Sequence, residues 1–126
     1  SYPSIIQAAI DSLEGGADYI TVHLREDRRH IQDHDVSELI HDGIKVNLEI
    51  CPSDEMIAIA IHNRPKFCCL VPEKREELTT EGGLDLVKNY DRIKSAVSLL
   101  QKEGIVVSLF IEPVAEFIEK KVKSAG

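Results

Sequence analysis

The stretch Ala17-Asp18-Tyr19-Ile20-Thr21-Val22-His23-Leu24-Arg25-Glu26-Asp27-Arg28-Arg29-His30 decides how this chain is read: a short β-rich run ends in histidine, arginine and carboxylates, and a helical pattern follows. Strand alternation puts Tyr19, Thr21 and His23 on one face and Ile20, Val22 and Leu24 on the other. A second run behaves alike, with Val46, Leu48 and Ile50 pointing one way and Lys45, Asn47 and Glu49 the other. In a parallel βα architecture a sheet is covered on both faces, so a polar side chain on a strand must be satisfied or line a cavity. Two strands with apolar outer faces and polar residues near their C-terminal ends predict a barrel whose mouth carries His23 and Glu49.

Outward from that stretch, the pattern alternates. Ile5, Ile6, Ala9, Ile10 and Leu13 stripe a first helix, with Pro3 suited to its first turn and Gly15-Gly16 to its stop. After the charged loop, Asp35-Val36-Ser37-Glu38 predicts an N-cap at Asp35 with a carboxylate three residues on. Val36, Leu39 and Ile40 supply that helix's apolar side and Gly43 its end. A strand over 44–50 breaks at Cys51-Pro52, and Ser53-Asp54-Glu55 starts a helix through the apolar run Met56 to Ile61. Phe67 to Val71 is a buried strand. The connection from Pro72 to Lys88 has little periodicity, and connections of that length are usually functional or mobile. Ile93, Ala96, Val97 and Leu100 stripe a helix closed by Gly104, Ile105 to Ile111 form a strand, and Val114, Phe117, Ile118 and Val122 mark a last helix. The order αβαβαβαβα, with no hairpin signal, predicts parallel α/β structure with four strands, in one domain spanning residues 1–126.

Composition narrows the classes. With 126 residues, 43% apolar and 29% charged, the chain can bury a core and is not of disordered type. A formal charge of −7 argues against nucleic acid, so a phosphate ligand would need a local cationic pocket. No apolar run approaches the ~20 residues that cross a bilayer, and the opening Ser1-Tyr2-Pro3-Ser4 lacks the layout of a signal peptide. Cys51, Cys68 and Cys69 form no disulfide framework; buried thiols in a reducing cytoplasm are the expectation, with the neighbours Cys68 and Cys69 on opposite faces.

Each chemical candidate has a plainer alternative. His23 alone could be a hydrogen-bonded structural histidine, but Glu49 shares its side of the sheet, and a carboxylate aimed into a covered sheet suits a general base. Arg25, Arg28 and Arg29 could clamp a phosphate or carboxylate, or simply pair with Glu26 and Asp27 on the surface. His30, Asp33, His34, Asp35, His41 and Asp42 resemble metal ligands in composition only, because Ile31 stands where a zinc-protease motif has glutamate; no metal site is expected. Thr79-Thr80-Glu81-Gly82-Gly83 could offer hydroxyl and N–H groups to a phosphate, or be a glycine loop without function.

Several segments together resemble one family. Ile20-Thr21-Val22-His23-Leu24-Arg25-Glu26-Asp27-Arg28-Arg29-His30-Ile31 is similar to the signature of the pyridoxine 5′-phosphate synthases. So are Asn47-Leu48-Glu49, Phe67-Cys68-Cys69-Leu70-Val71-Pro72-Glu73-Lys74-Arg75, Thr79-Thr80-Glu81-Gly82-Gly83-Leu84-Asp85 and Val107-Ser108-Leu109-Phe110-Ile111. The resemblance implies a TIM (β/α)8 barrel, present here as a partial barrel of about four parallel strands, the second to fifth, with flanking helices. It implies a cytoplasmic, octameric transferase of vitamin B6 biosynthesis that condenses 1-deoxy-D-xylulose 5-phosphate with 3-amino-2-oxopropyl phosphate. It assigns general acid/base roles to His23 and Glu49, and contacts to the deoxyxylulose phosphate to Arg25, His30 and Thr79. Imine formation, loss of water and phosphate, and ring closure need proton transfers, and no metal or redox cofactor is implied.

The family's chain is about twice this long, as a full barrel needs ~250 residues. The counterpart of its first strand, with an Asn-x-Asp-His segment, and of its last three strands, with a further histidine and a glycine-rich phosphate site, falls outside this sequence. Three readings follow: half of a synthase active site, inactive by itself; a non-catalytic half-barrel that binds a sugar phosphate; or a structural piece that completes itself by association.

Overall fold

The computed structural model of the chain describes residues 5–79 and 82–111. Helices and strands alternate: α1 (Ile5–Glu14), β1 (Ile20–His23), α2 (Asp33–His41), β2 (Val46–Ile50), α3 (Asp54–Asn63), β3 (Phe67–Leu70), a 3-10 turn (Arg75–Glu77), α4 (Tyr90–Lys102) and β4 (Val106–Leu109). All four strands pair in parallel, in the order β1-β2-β3-β4. A sheet whose strand order never reverses has no switch-point crevice, so its helices stack in one layer on one side, as in a (β/α)8 barrel. The structure is a partial barrel: α1, α2, α3 and α4 each touch the next along the outside of the arc.

Parity explains why the helices lie where they do. Val22, Leu24, Val46, Leu48, Ile50, Cys68 and Leu70 are buried, and they meet Ala9, Val36, Leu39, Met56, Ile57, Ala60, Ile93, Ala96 and Leu100 from the helices in one core. On β4 the same side carries Val107 and Leu109, partly buried against that core. The opposite face is left bare by the described residues. Thr21, Val106 and Ser108 are exposed there, and His23, Asn47, Glu49, Phe67 and Cys69 are half-buried. Cys68 and Cys69 do point to opposite faces, and all three cysteines are free thiols.

Local signals place most boundaries. Ser53 caps α3 as expected, its Oγ accepting the Met56 N–H at 3.3 Å. Gly43 and Gly104 follow α2 and α4 at φ values of 79° and 78°, the left-handed region a Cβ disfavours. One expectation needs correcting. Helix α2 starts before Asp35, with Gln32 at the cap position and Asp35 three residues in, where its Oδ2 accepts the Gln32 N–H at 2.8 Å. A carboxylate can close a helix start from either end of the capping pair, and spacing to Glu38 pointed to the wrong end. The connection after β3 is also more ordered than its lack of periodicity implied, since it holds the 3-10 turn and an antiparallel bridge between Leu78 and Leu84. Pro3 and the last helix, at Val114, Phe117, Ile118 and Val122, lie outside the described residues.

Candidate active site

Parallel register lines up one row of side chains across the bare face. His23 is opposite Glu49, Glu49 opposite Cys69, and Cys69 opposite Ser108. Neighbouring parallel strands lie about 4.8 Å apart, so the row spans about 14 Å at the C-terminal edge of the sheet. His23 is the last residue of β1, and its Nε2 is buried with no hydrogen-bond partner among the described residues. An unsatisfied buried nitrogen costs about 1–3 kcal/mol, which is tolerable where a reacting group will use it. Beneath this row, Asn47 donates to Thr21 Oγ1 at 3.4 Å and its own Oδ1 is buried without a partner among the described residues. A small cavity of about 140 Å³ adjoins these residues, lined by Tyr19, Asn47, Phe67, Val106 and Ser108. Burial pushes the Cys69 thiol pKa up, against a hydrogen bond with Ser108 and reinforced by the charge of Glu49.

The loop after β1 sorts its arginines. Arg28 is engaged by Asp33 and by Glu55, the latter at 2.7 Å, so it ties the loop to α2 and α3. Asp33 and Glu55 together hold its guanidinium pKa above the ordinary value. Arg29 is largely exposed. Arg25 stands just past the strand end and pairs with Asp27 at 3.1 and 3.3 Å. Its pKa is raised by the Asp27 hydrogen bond and charge, with a further contribution from Glu73. The pairing with Glu26 and Asp27 weighed for these arginines is found for Arg25, through Asp27, and at 3.9 Å for Arg29, whereas Arg28 turns to Asp33 and Glu55 instead.

Two residues of this loop, Arg28 at φ 56° and His30 at φ 75°, have left-handed backbone, which costs a non-glycine residue about 1–3 kcal/mol. The surroundings enforce it: Arg28 N–H donates to Arg25 O at 2.9 Å, and Gln32 Nε2 to Arg28 O at 2.6 Å. His30 is exposed at the bend so formed. Asp33 and Asp35 are taken up by Arg28 and by the start of α2.

Thr79 belongs to a closed loop at the other end of the sheet. Its N–H donates to Gly83 O at 2.8 Å and its Oγ1 accepts the Gly83 N–H at 3.0 Å. Leu84 N–H donates to Phe110 O at 2.9 Å, which seats the loop on the end of β4. Thr80 and Glu81 lie outside the described residues. His23 and Glu49 are therefore brought side by side. Arg25 and Thr79 share the C-terminal edge but stand at opposite ends of the strand order.

Sequence reasoning missed two carboxylates. Glu73 accepts the Glu26 N–H with both oxygens, at 3.1 and 3.0 Å. Glu77 is wholly buried; its Oε1 accepts the N–H groups of Glu73 at 2.9 Å and Lys74 at 2.8 Å, and Arg92 lies 3.3 Å from Oε2. The available signal was the carboxylate three residues after Lys74, the spacing of a capping pair at a short turn. A larger apolar groove of about 780 Å³ runs between α4 and β4, lined by Val87, Tyr90, Ile93, Val97 and Leu109 among others. It lies on the helix side of the sheet, away from the polar row.

Comparison with known proteins bears on this arrangement. Residues 1–125 match the family described as Pyridoxal phosphate biosynthesis protein PdxJ. The chain is similar to the pyridoxine 5′-phosphate synthase of Ehrlichia chaffeensis, 52% identical over 123 residues covering 97% of this chain and 52% of that protein. It is 54% identical over 127 residues to the enzyme of that name from Colwellia psychrerythraea, covering 98% of this chain and 51% of the relative. The Coxiella burnetii protein of the same name is 50% identical over 126 residues, covering 99% and 52%. The chain spans about half the length of the curated relatives it matches.

Proposed function

The chain belongs to the family of the pyridoxal phosphate biosynthesis protein PdxJ, and on that premise we propose that it supplies one arc of the active site of a pyridoxine 5′-phosphate synthase. The reaction is the condensation of 1-deoxy-D-xylulose 5-phosphate with 3-amino-2-oxopropyl phosphate. The observation that carries the reading is the in-register placement of His23 and Glu49 on adjacent strands, on the face that no helix covers among the described residues.

His23 and Glu49 are the proton-transfer groups. Forming an imine requires a proton delivered to the departing carbinol oxygen, and closing the ring requires one taken from carbon. A carboxylate and an imidazole on neighbouring strands can serve the two in turn, the ring presenting an Nε2 that no protein group occupies among the described residues. Arg25, His30 and Thr79 bind the phosphorylated sugar. In an acidic chain the β1 loop concentrates cationic side chains at the barrel mouth, where guanidinium groups suit a phosphate. Arg25 must then exchange part of its pairing with Asp27 for the ligand. The complete protein works in the cytoplasm as a homo-oligomer on this reading, and the free thiols agree with a reducing compartment.

The test is turnover by the complete synthase chain containing these residues, supplied with both phosphorylated substrates. Glu49→Gln keeps the shape and removes the base, so kcat should collapse while the deoxyxylulose phosphate still binds. Unchanged turnover in that variant would remove Glu49 from the chemistry. These 126 residues alone should bind the sugar phosphate without turning it over.

A further inference from the structure

The loop that carries Arg25 is held from a distance. Arg25 and Glu26 follow β1, whereas Glu73 follows β3, so the bond from the Glu26 N–H to the Glu73 carboxylate crosses the end of β2. A second strut runs the other way, Lys74 Nζ lying 3.4 Å from Glu26 Oε1. Burial raises the Glu26 pKa, but the neighbouring polar groups of Cys51, Lys74 and Ser53 and the charge of Lys74 outweigh it and keep the group below its ordinary value. Glu73 and Lys74 are themselves fixed by their N–H groups on Glu77, which Arg92 of α4 anchors within the fold. The 3-10 turn ending at Glu77 leads straight to Thr79. One chain of hydrogen bonds therefore links α4, the Thr79 loop and the backbone beside Arg25.

We propose that Glu73 and Glu77 are positioning residues for the phosphate contact of Arg25, an inference that rests on the functional reading above. Glu73 acts twice. Its carboxylate fixes the peptide on which the Arg25 side chain pivots, and its charge offers the guanidinium a second counter-ion when Asp27 gives way to a ligand. Glu77 sets where Glu73 stands. Neither touches substrate. The strut explains why the protein keeps a fully buried carboxylate here, since each of its oxygens has a donor that fixes part of the mouth.

The experiment is a kinetic and binding comparison in the complete synthase chain. Glu73→Ala should raise the KM for the deoxyxylulose phosphate about tenfold, leave kcat within about twofold, and leave the KM for the amino substrate unchanged. Glu73→Gln, which keeps one acceptor for the Glu26 N–H, should recover part of the loss. In an Arg25→Ala background, Glu73→Ala should add nothing, because the two act through one contact. Additive losses, or equal losses for both substrates, would overturn the proposal. Should Glu77→Gln fail to fold, the Glu73 variants still decide. Equilibrium binding of deoxyxylulose 5-phosphate gives a readout independent of turnover. If the unsubstituted complete synthase chain binds this ester but makes no product, the synthase reading falls, while weaker binding by Glu73→Ala still upholds the positioning role. Equal binding by both overturns it, and no binding by the unsubstituted chain overturns both.

Discussion

The two faces of the sheet are built from the same strands and do opposite work. On the covered face, Leu48 and Leu70 are fully buried against helices. One residue along the chain, Glu49 and Cys69 look out from the bare face in a row that begins at His23 and ends at Ser108. Neighbours in sequence thus divide stability from chemistry, because alternation sends consecutive side chains to opposite sides. Cys68 and Cys69 make the point most compactly, since of two adjacent identical residues one is buried in the core and the other half-buried on the opposite face.

The largest expected effect comes from leaving the bare face open. Val106 is 52% exposed, Phe110 49% and Tyr19 45%, and β1 and β4 have unpaired edges within the described sheet. The 126 residues made alone should show no turnover and should self-associate. Sedimentation velocity with a turnover assay checks this, and an active monomer would break the contrast between the faces.

Next come two adjacent substitutions in the complete chain. Glu49→Gln should lower kcat by about 10³-fold, within the range for loss of a general acid or base, with an unchanged denaturant midpoint. Leu48→Ala should do the reverse, costing about 3 kcal/mol of stability by denaturant titration and keeping kcat where the protein is folded. If Glu49→Gln proves mainly destabilising, the bare face is structural after all.

The pH dependence of stability is smaller. Burial pushes both Cys51 and Cys68 up to about 12 from the ordinary 9, with the carboxylate of Glu26 adding at Cys51 and Cys69 at Cys68. The unfolded thiols ionise first, so the folded state gains below pH 9 and loses that gain as pH climbs toward 12. Each thiol contributes a slope of up to about 1.4 kcal/mol per pH unit. Denaturant midpoints measured from pH 8 to 11 should fall, and Cys51→Ala with Cys68→Ala should flatten the fall. Smallest of all, Val87→Ser should change stability by less than about 0.5 kcal/mol, because Val87, although it lines the groove beside α4, is 85% exposed.

The strand and helix order, the buried parity and the pairing of His23 with Glu49 were legible because each follows from a period of two or 3.6 in residue type. So was the Ser53 cap, where one hydroxyl precedes an acidic first turn. The Gln32 start of α2 was not, because Asp35 fits either end of a capping pair and only the backbone decides. Glu73 and Glu77 were invisible as a unit. Their partners are Glu26, forty-seven residues away from Glu73, and Arg92, fifteen from Glu77, and no local period relates them.

What the amino-acid order determined by itself is which side chains share a face and which ends of the strands are polar. Those properties depend on near neighbours along the chain. Tertiary structure alone decided that Arg28 is spent on Asp33 and Glu55, that Arg25 leans on Asp27 beside Glu73, and that a buried carboxylate braces the mouth from beneath. Charges in a run such as Arg25 to Arg29 are interchangeable on paper. Folding separates them, because a guanidinium goes to whichever carboxylate the packed helices and loops bring within hydrogen-bond reach, and that distance is set by contacts between segments remote in sequence.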